Sequence, residues 1–247
     1  WYNKAKQEGY RSRAAYKLKQ LDEAASLIDR GDTVVDLGAA PGGWLEVAAE
    51  LAGPDGRVLG VDRQRIAPID GVETLRGDLT EEATQSAIRE QVGQADVVLS
   101  DLAPDMTGEY ELDHARSVHL ARQALEVAEQ ILAGGGDLAV KVFQGPDLES
   151  LRADVEAEFD HARVVTPEAT RDASSEVYLV GKGWLTAPVR PGDEIEVTIE
   201  AVGAEGDGIA KVEGYTVFVP DTAEGETVTV RISDVKPRFG FAERITE

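Results

Sequence analysis

The chain has 247 residues, 42% of them hydrophobic, with no cysteine and with 47 acidic against 25 basic side chains, a formal net charge of -22. That length accommodates one large α/β domain or a medium domain with a small companion, and the lack of cysteine excludes disulfides and thiolate metal sites; with three scattered histidines (His114, His119, His161) no metal is expected. No apolar run approaches the ~20 residues of a membrane span and no signal-peptide pattern is present, so the expectation is a soluble, cytoplasmic protein without membrane contact.

The acidic excess argues against nucleic-acid partners at first sight, because phosphates would be repelled. The acids are spread along the chain, however, as on proteins from salt-loving organisms, and at molar salt the Debye length falls to about 3 Å. The first twenty residues also invert the trend. There Lys4, Lys6, Arg11, Arg13, Lys17 and Lys19 face a single acid, Glu8.

Periodicity predicts a helix over 14–28, with Leu18, Leu21, Ala25 and Ile28 on one face. Alternating strands and helices follow. Strands are expected at 33–36, 57–62, 72–78, 95–101, 137–144, 161–166 and 176–181. Helices are expected at 44–51, at 79–92 with Thr80 as N-cap, at 112–132 until Gly134-Gly135-Gly136 stops it, and at 147–159. This alternation predicts an α/β fold with a doubly wound sheet, mostly parallel. From Val189 the helical period vanishes and short alternating strands punctuated by glycine predict a small all-β barrel of the oligonucleotide-binding type. The expected domains are therefore 1–185 and 189–247.

Chemistry concentrates where the first strand ends. Asp36 is followed by a turn carrying Gly38, Gly42 and Gly43, then a helix from Trp44. In open α/β sheets ligands sit beyond the carboxyl ends of the strands, at such turns. The spacing fits neither the dinucleotide fingerprint nor the phosphate loop, and no lysine follows, so a nucleoside-type ligand without a diphosphate is expected, with Asp36 and Gly38 at its turn. Asp62, Asp78 and Asp101 end successive strands at the same face; Asp62 suits a ribose diol, Asp78 the neighbourhood of a base, and Asp101 the mouth. Lys141 interrupts the apolar strand Leu138-Ala-Val-Lys-Val-Phe143, where an unpaired ammonium would be costly. Carboxylates around it are the expected remedy.

Arg11-Ser-Arg-Ala-Ala-Tyr-Lys17-Leu, Val35-Asp-Leu-Gly-Ala-Ala-Pro-Gly-Gly-Trp44, Ser100-Asp-Leu-Ala-Pro104, Val140-Lys-Val-Phe-Gln-Gly145 and Ser175-Glu-Val-Tyr178 occur in that order. Together, over residues 3–183, they resemble the FtsJ-like RNA 2'-O-ribose methyltransferases, in particular the large-subunit rRNA methyltransferase E branch of halophilic archaeal type. Gly206-Asp-Gly-Ile-Ala210 and Tyr215-Thr-Val-Phe-Val-Pro220 resemble a TRAM domain, an RNA-binding barrel.

The resemblance implies a Rossmann-like sheet whose last strand is antiparallel. It also implies S-adenosyl-L-methionine as cofactor and a catalytic tetrad of Lys17, Asp101, Lys141 and Glu176. Cofactor contacts fall on Gly42, Trp44, Asp62, Asp78 and Asp101. The implied reaction is methyl transfer to the 2'-hydroxyl of a uridine in 23S rRNA, free or in the assembled 50S subunit, by a monomer. Lys141 would be the base or would orient the hydroxyl. Arg11 and Arg13, just before Lys17, are the expected phosphate contacts. Two alternatives remain at this point: a 2'-O-methyltransferase acting on tRNA, and a non-catalytic RNA-binding assembly factor.

Overall fold

The computed structural model describes residues 1–170 and 174–245; both expected domain ranges include a few residues outside these. The larger unit starts with two helices, α1 (Tyr2–Glu8) and α2 (Ala14–Ala25). A β-α alternation follows: β1 (Thr33–Leu37), α3 (Gly43–Ala52), β2 (Arg57–Asp62), β3 (Val72–Arg76), α4 (Glu82–Val92), β4 (Ala95–Ser100), α5 (Tyr110–Ile131), β5 (Leu132–Phe143), α6 (Leu148–Glu158), β6 (Phe159–Val165) and β7 (Glu176–Trp184).

These strands form one sheet in the order β3-β2-β1-β4-β5-β7-β6. β7 runs antiparallel to both its neighbours and the remaining pairs are parallel. Successive side chains of a strand point to opposite faces, and β1 divides accordingly. Val34 packs with Leu18, Leu21, Leu45 and Val47 of α2 and α3, and Val35 with Ile88, Leu125 and Leu151 of α4, α5 and α6. Helices thus cover both faces, as the alternation predicts.

Several boundaries differ from the sequence reading. α4 begins at Glu82, because the Thr80 hydroxyl and amide both bond to Asp78 rather than capping a helix. Gly134 to Gly136 do not end the element as expected: Leu132 already pairs with Ala95, the glycines bulge, and pairing resumes at Asp137 opposite Val97.

The second unit is a closed five-stranded barrel: β8 (Glu194–Val202), β9 (Gly208–Val212), β10 (Tyr215–Val219), β11 (Thr227–Val235) and β12 (Phe239–Arg244), ordered β10-β12-β11-β8-β9. Its core is Val197, Ile199, Val217, Val219, Val230, Ile232 and their neighbours. The barrel meets the sheet where β6 begins and β7 ends. Lys236 pairs with Asp160 at 3.0 Å, Arg190 with Glu158 at 3.4 Å, and Pro237 lies over Gly183, where a Cβ would come within 3.0 Å of it. Pro237 also passes Gly135, six residues and hence ~20 Å along β5 from Lys141. The barrel is docked at the end of the sheet away from that lysine.

Candidate active site

Register builds a row of polar groups across three adjacent strands. Ser100 pairs with Val140, so the next residues, Asp101 and Lys141, stand side by side. Lys141 in turn faces Tyr178 across the antiparallel β5–β7 ladder. The Lys141 ammonium lies 3.0 Å from Asp101 Oδ1, 3.2 Å from the Asp101 carbonyl and 3.9 Å from Glu176 Oε2. From above, α2 lowers Lys17 onto the other Glu176 oxygen. The four residues of the expected tetrad are therefore joined in one chain of contacts, Lys17–Glu176–Lys141–Asp101.

Both lysines are buried, at 6% and 8% exposure, so neither ammonium can rely on water. Two carboxylates for two ammoniums is the composition that makes such burial tolerable. Tyr178, fully buried, donates its hydroxyl to Asp101 Oδ1 at 2.5 Å, the same oxygen that Lys141 holds. Burial first, and then the Asp101 and Glu176 charges, push its hydroxyl well above the usual range, so Tyr178 remains a donor.

Beside this row lies a cleft of about 670 Å3, lined by Gly38, Asp62, Asp78, Asp101 and the loop that follows Asp101. Four acids, Asp62, Asp78, Asp101 and Asp105, line it against one arginine, Arg63. Such a lining repels phosphate and suits a cationic ligand with hydroxyls to donate. Gly38, at φ +79°, is bare because a Cβ there would fall 2.4 Å from Leu102, so backbone forms the floor. Asp62 accepts the Ala40 and Gln64 amides at 3.0 and 2.7 Å, each oxygen keeping a free lone pair. Asp78 accepts both groups of Thr80, whose amide bond above all holds its carboxyl below the usual range.

Asp36 is fully buried and neither of its oxygens has a partner. Burial, reinforced by the charges of Asp101 and Asp62, pushes its carboxyl well above the ordinary range. An acid-lined cleft and a bare glycine floor are what an S-adenosylmethionine-like ligand, with a sulfonium, an ammonium and a ribose diol, would require; Asp36 itself is not on the cleft wall. The residues present fit that group. Gly42 and Trp44 are not on the cleft wall. Trp44 is buried, donates its indole N–H to the Ala14 carbonyl at 2.8 Å and packs 5.6 Å from Tyr178, which makes it a strut between α2 and α3.

A family model of FtsJ-like methyltransferases matches residues 10–184. The chain belongs to that family. A TRAM domain model matches residues 188–245. The protein named ribosomal RNA large subunit methyltransferase E from Natronomonas pharaonis is 66% identical over 245 residues, covering 99% of this chain and 97% of that one. The protein of the same name from Haloarcula marismortui is 59% identical over 256 residues, covering 99% and 97%. These relatives are halophilic archaeal proteins, in keeping with the dispersed acidic surface. Among solved structures, a Plasmodium falciparum protein assigned as a ribosomal RNA methyltransferase superposes with a TM-score of 0.65 at 28% identity, covering 71% of this chain and 98% of that one.

The structure separates the two arginines expected at RNA. The Arg11 guanidinium is taken by the carbonyls of Ala67 and Pro68, both at 2.6 Å, and of Pro41 at 3.3 Å, with Glu46 at 3.3 Å. It clamps the glycine turn while remaining partly exposed, a role that a charge count along the sequence does not reveal. The same packing bears on the paired glycines. Gly42 has φ +118°, and a Cβ there would meet Ile69 at 2.9 Å and the Arg11 side chain at 3.3 Å, while one on Gly43 would meet the Ser12 hydroxyl at 2.4 Å. Arg13 is half-buried and caps α2 without such a clamp.

Sequence reasoning also gave no role to Tyr178, or to three phenylalanines on the barrel. Phe218, Phe239 and Phe241 cluster with ring centroids 5.6 to 5.9 Å apart around a surface concavity of about 410 Å3, the last two at 37% and 40% exposure.

Proposed function

We propose that this chain transfers a methyl group from S-adenosyl-L-methionine to the 2'-hydroxyl of a uridine ribose in large-subunit rRNA. The observation that carries the reading is the buried Lys17–Glu176–Lys141–Asp101 cluster at the wall of an acid-lined cleft. The rRNA substrate is taken from the names of the relatives.

When bound, the cofactor supplies an electrophilic methyl on a sulfonium. Asp62 would take its ribose hydroxyls, Asp78 would lie near its base, and Gly38 would let it approach the backbone. A ribose hydroxyl is a poor nucleophile until its proton leaves. Lys141 is the residue assigned to that proton. It would orient the hydroxyl or, having first released its own ammonium proton to solvent, accept the hydroxyl's, with Asp101 and Glu176 pairing the ammonium that results. Lys17 holds Glu176 in position, and Tyr178 holds Asp101. Alignment of two reactants in such a site is worth ~7–11 kcal/mol in well-oriented systems. Residues 1–185 would carry this chemistry and 189–247 would contribute RNA contacts, with Phe218, Phe239 and Phe241 as a surface on which unpaired bases stack.

The test is transfer of labelled methyl to rRNA at high salt, followed by digestion to nucleosides. 2'-O-methyluridine is the expected product, and the Lys141→Ala variant should bind the cofactor yet yield none. Label on a base, or normal turnover by that variant, refutes the assignment.

A further inference from the structure

The loop that leads away from Asp101 exposes apolar side chains where an acidic chain could easily have carried acids. Met106 is 65% exposed and Tyr110, at the first turn of α5, is 56% exposed. A single exposed apolar residue needs no explanation. These two, however, bracket a short turn that is bonded throughout. Asp113 accepts the Thr107 amide at 2.9 Å, its hydroxyl at 2.8 Å and the Gly108 amide at 3.1 Å, and the Thr107 amide bond above all holds the Asp113 carboxyl below the usual range.

The Tyr110 ring is fixed as well. Its hydroxyl donates to the Gln144 carbonyl at 2.7 Å, and its plane lies within 13° of the His114 imidazole. That imidazole is locked between the Phe143 carbonyl at 2.9 Å and the Asp147 amide at 3.1 Å, and Gly145 has no side chain because a Cβ would strike the ring. The exposed aromatic face is thus held rigid before any ligand arrives, which removes the ordering cost of binding. Its anchor, Gln144, is three residues and ~10 Å along the chain from Lys141, and the same loop lines the cleft through Asp105.

Resting on the methyltransferase reading above, we propose that the Tyr110 ring, with Met106 on the same lip, is a docking surface for a nucleobase of single-stranded RNA next to the acceptor ribose. The argument for a base rather than a phosphate is physical. Acids line the neighbouring cleft, and molar salt screens ion pairs, whereas stacking on an aromatic face retains its strength.

The experiment compares wild type with Tyr110→Ala and Tyr110→Phe in binding a short oligouridylate at molar salt, alongside the same oligomer with abasic central residues. Tyr110→Ala should weaken the oligouridylate about tenfold and Tyr110→Phe by less than about twofold, since only the first removes the stacking face. The abasic oligomer should bind all three alike. If Tyr110→Phe loses as much as Tyr110→Ala, the tyrosine is a strut for the loop and the proposal falls. It falls equally if bases make no difference, or if Tyr110→Ala abolishes self-association while leaving RNA binding unchanged, which makes a second copy of the chain the occupant. Methyl transfer is measured in parallel. Base-dependent binding without transfer would overturn the proposed reaction and leave the docking surface standing.

Discussion

Under the α2–α3 face of the sheet lie two lysines and an aspartate that water does not reach, whereas the described core of the barrel is aliphatic apart from Tyr215 and Thr222. Both units fold around apolar side chains, so stability alone does not call for ionic groups inside the first. Replacing buried ion pairs with well-packed apolar residues is often neutral or stabilising, and their retention points to chemistry. In the barrel the unusual feature is outside, where Phe239 and Phe241 meet solvent. On the proposed reading, the first unit's chemistry is set by buried ionic groups and the barrel's contribution by exposed rings.

That contrast can be broken by substitution. The largest expected effect is that of Lys141→Ala, a loss of methyl transfer by at least about a hundredfold, the lower end of what a positioned acid or base contributes. Cofactor affinity and barrel integrity should be retained, as read by calorimetry and circular dichroism. Replacing Phe239 and Phe241 together by alanine should do the opposite. RNA affinity should fall by about 1–3 kcal/mol per stacked base, while turnover at saturating RNA and cofactor affinity stay unchanged. An effect of the phenylalanines on turnover would dissolve the division.

Next in size are the two arginines. Arg11→Ala should lower the melting temperature and cofactor affinity, because it releases three carbonyls and Glu46. It should leave the salt slope of RNA binding intact. Arg13→Ala should lower that slope by about one unit and leave melting unchanged.

The smallest effect is electrostatic. Asp36, its carboxyl raised by burial, keeps a proton in the folded chain at pH values where the unfolded chain has lost it. Stability therefore falls as pH rises from the ordinary carboxyl value of 3.8 toward the raised value. Asp36→Asn removes that contribution, so across this window the variant should gain stability relative to wild type in denaturant titrations. Parallel curves would mean that Asp36 is charged in the folded protein.

Much of this was legible in the chain. The strand-helix alternation and the loss of helical period at Val189 are patterns of apolar spacing, and spacing is what a sequence displays. Lys141 stood out because an ammonium inside an apolar strand is anomalous wherever the strand lies. What escaped depends on contacts between distant segments. α1 has Lys4, Lys6 and Glu8 in seven residues and no clear apolar stripe, so nothing marks it as a helix. β12 alternates Phe239, Phe241 and Glu243 with Gly240 and Ala242, a barrel strand whose larger side chains point outward. Its inward face is too small to register as apolar. The destinations of Arg11 and Trp44 depend on which carbonyls fold back onto them, and no local pattern encodes that.

The seating of Arg11 and Ser12 over Gly42 and Gly43 has a thermodynamic consequence. The segment that leads into Lys17 and the turn beside the cleft are one mechanical body, although thirty residues of chain lie between them. On the proposed reading RNA would order the first and the methyl donor the second, and linkage would make any coupling reciprocal: whatever factor RNA adds to the affinity for the donor, the donor must add to the affinity for RNA.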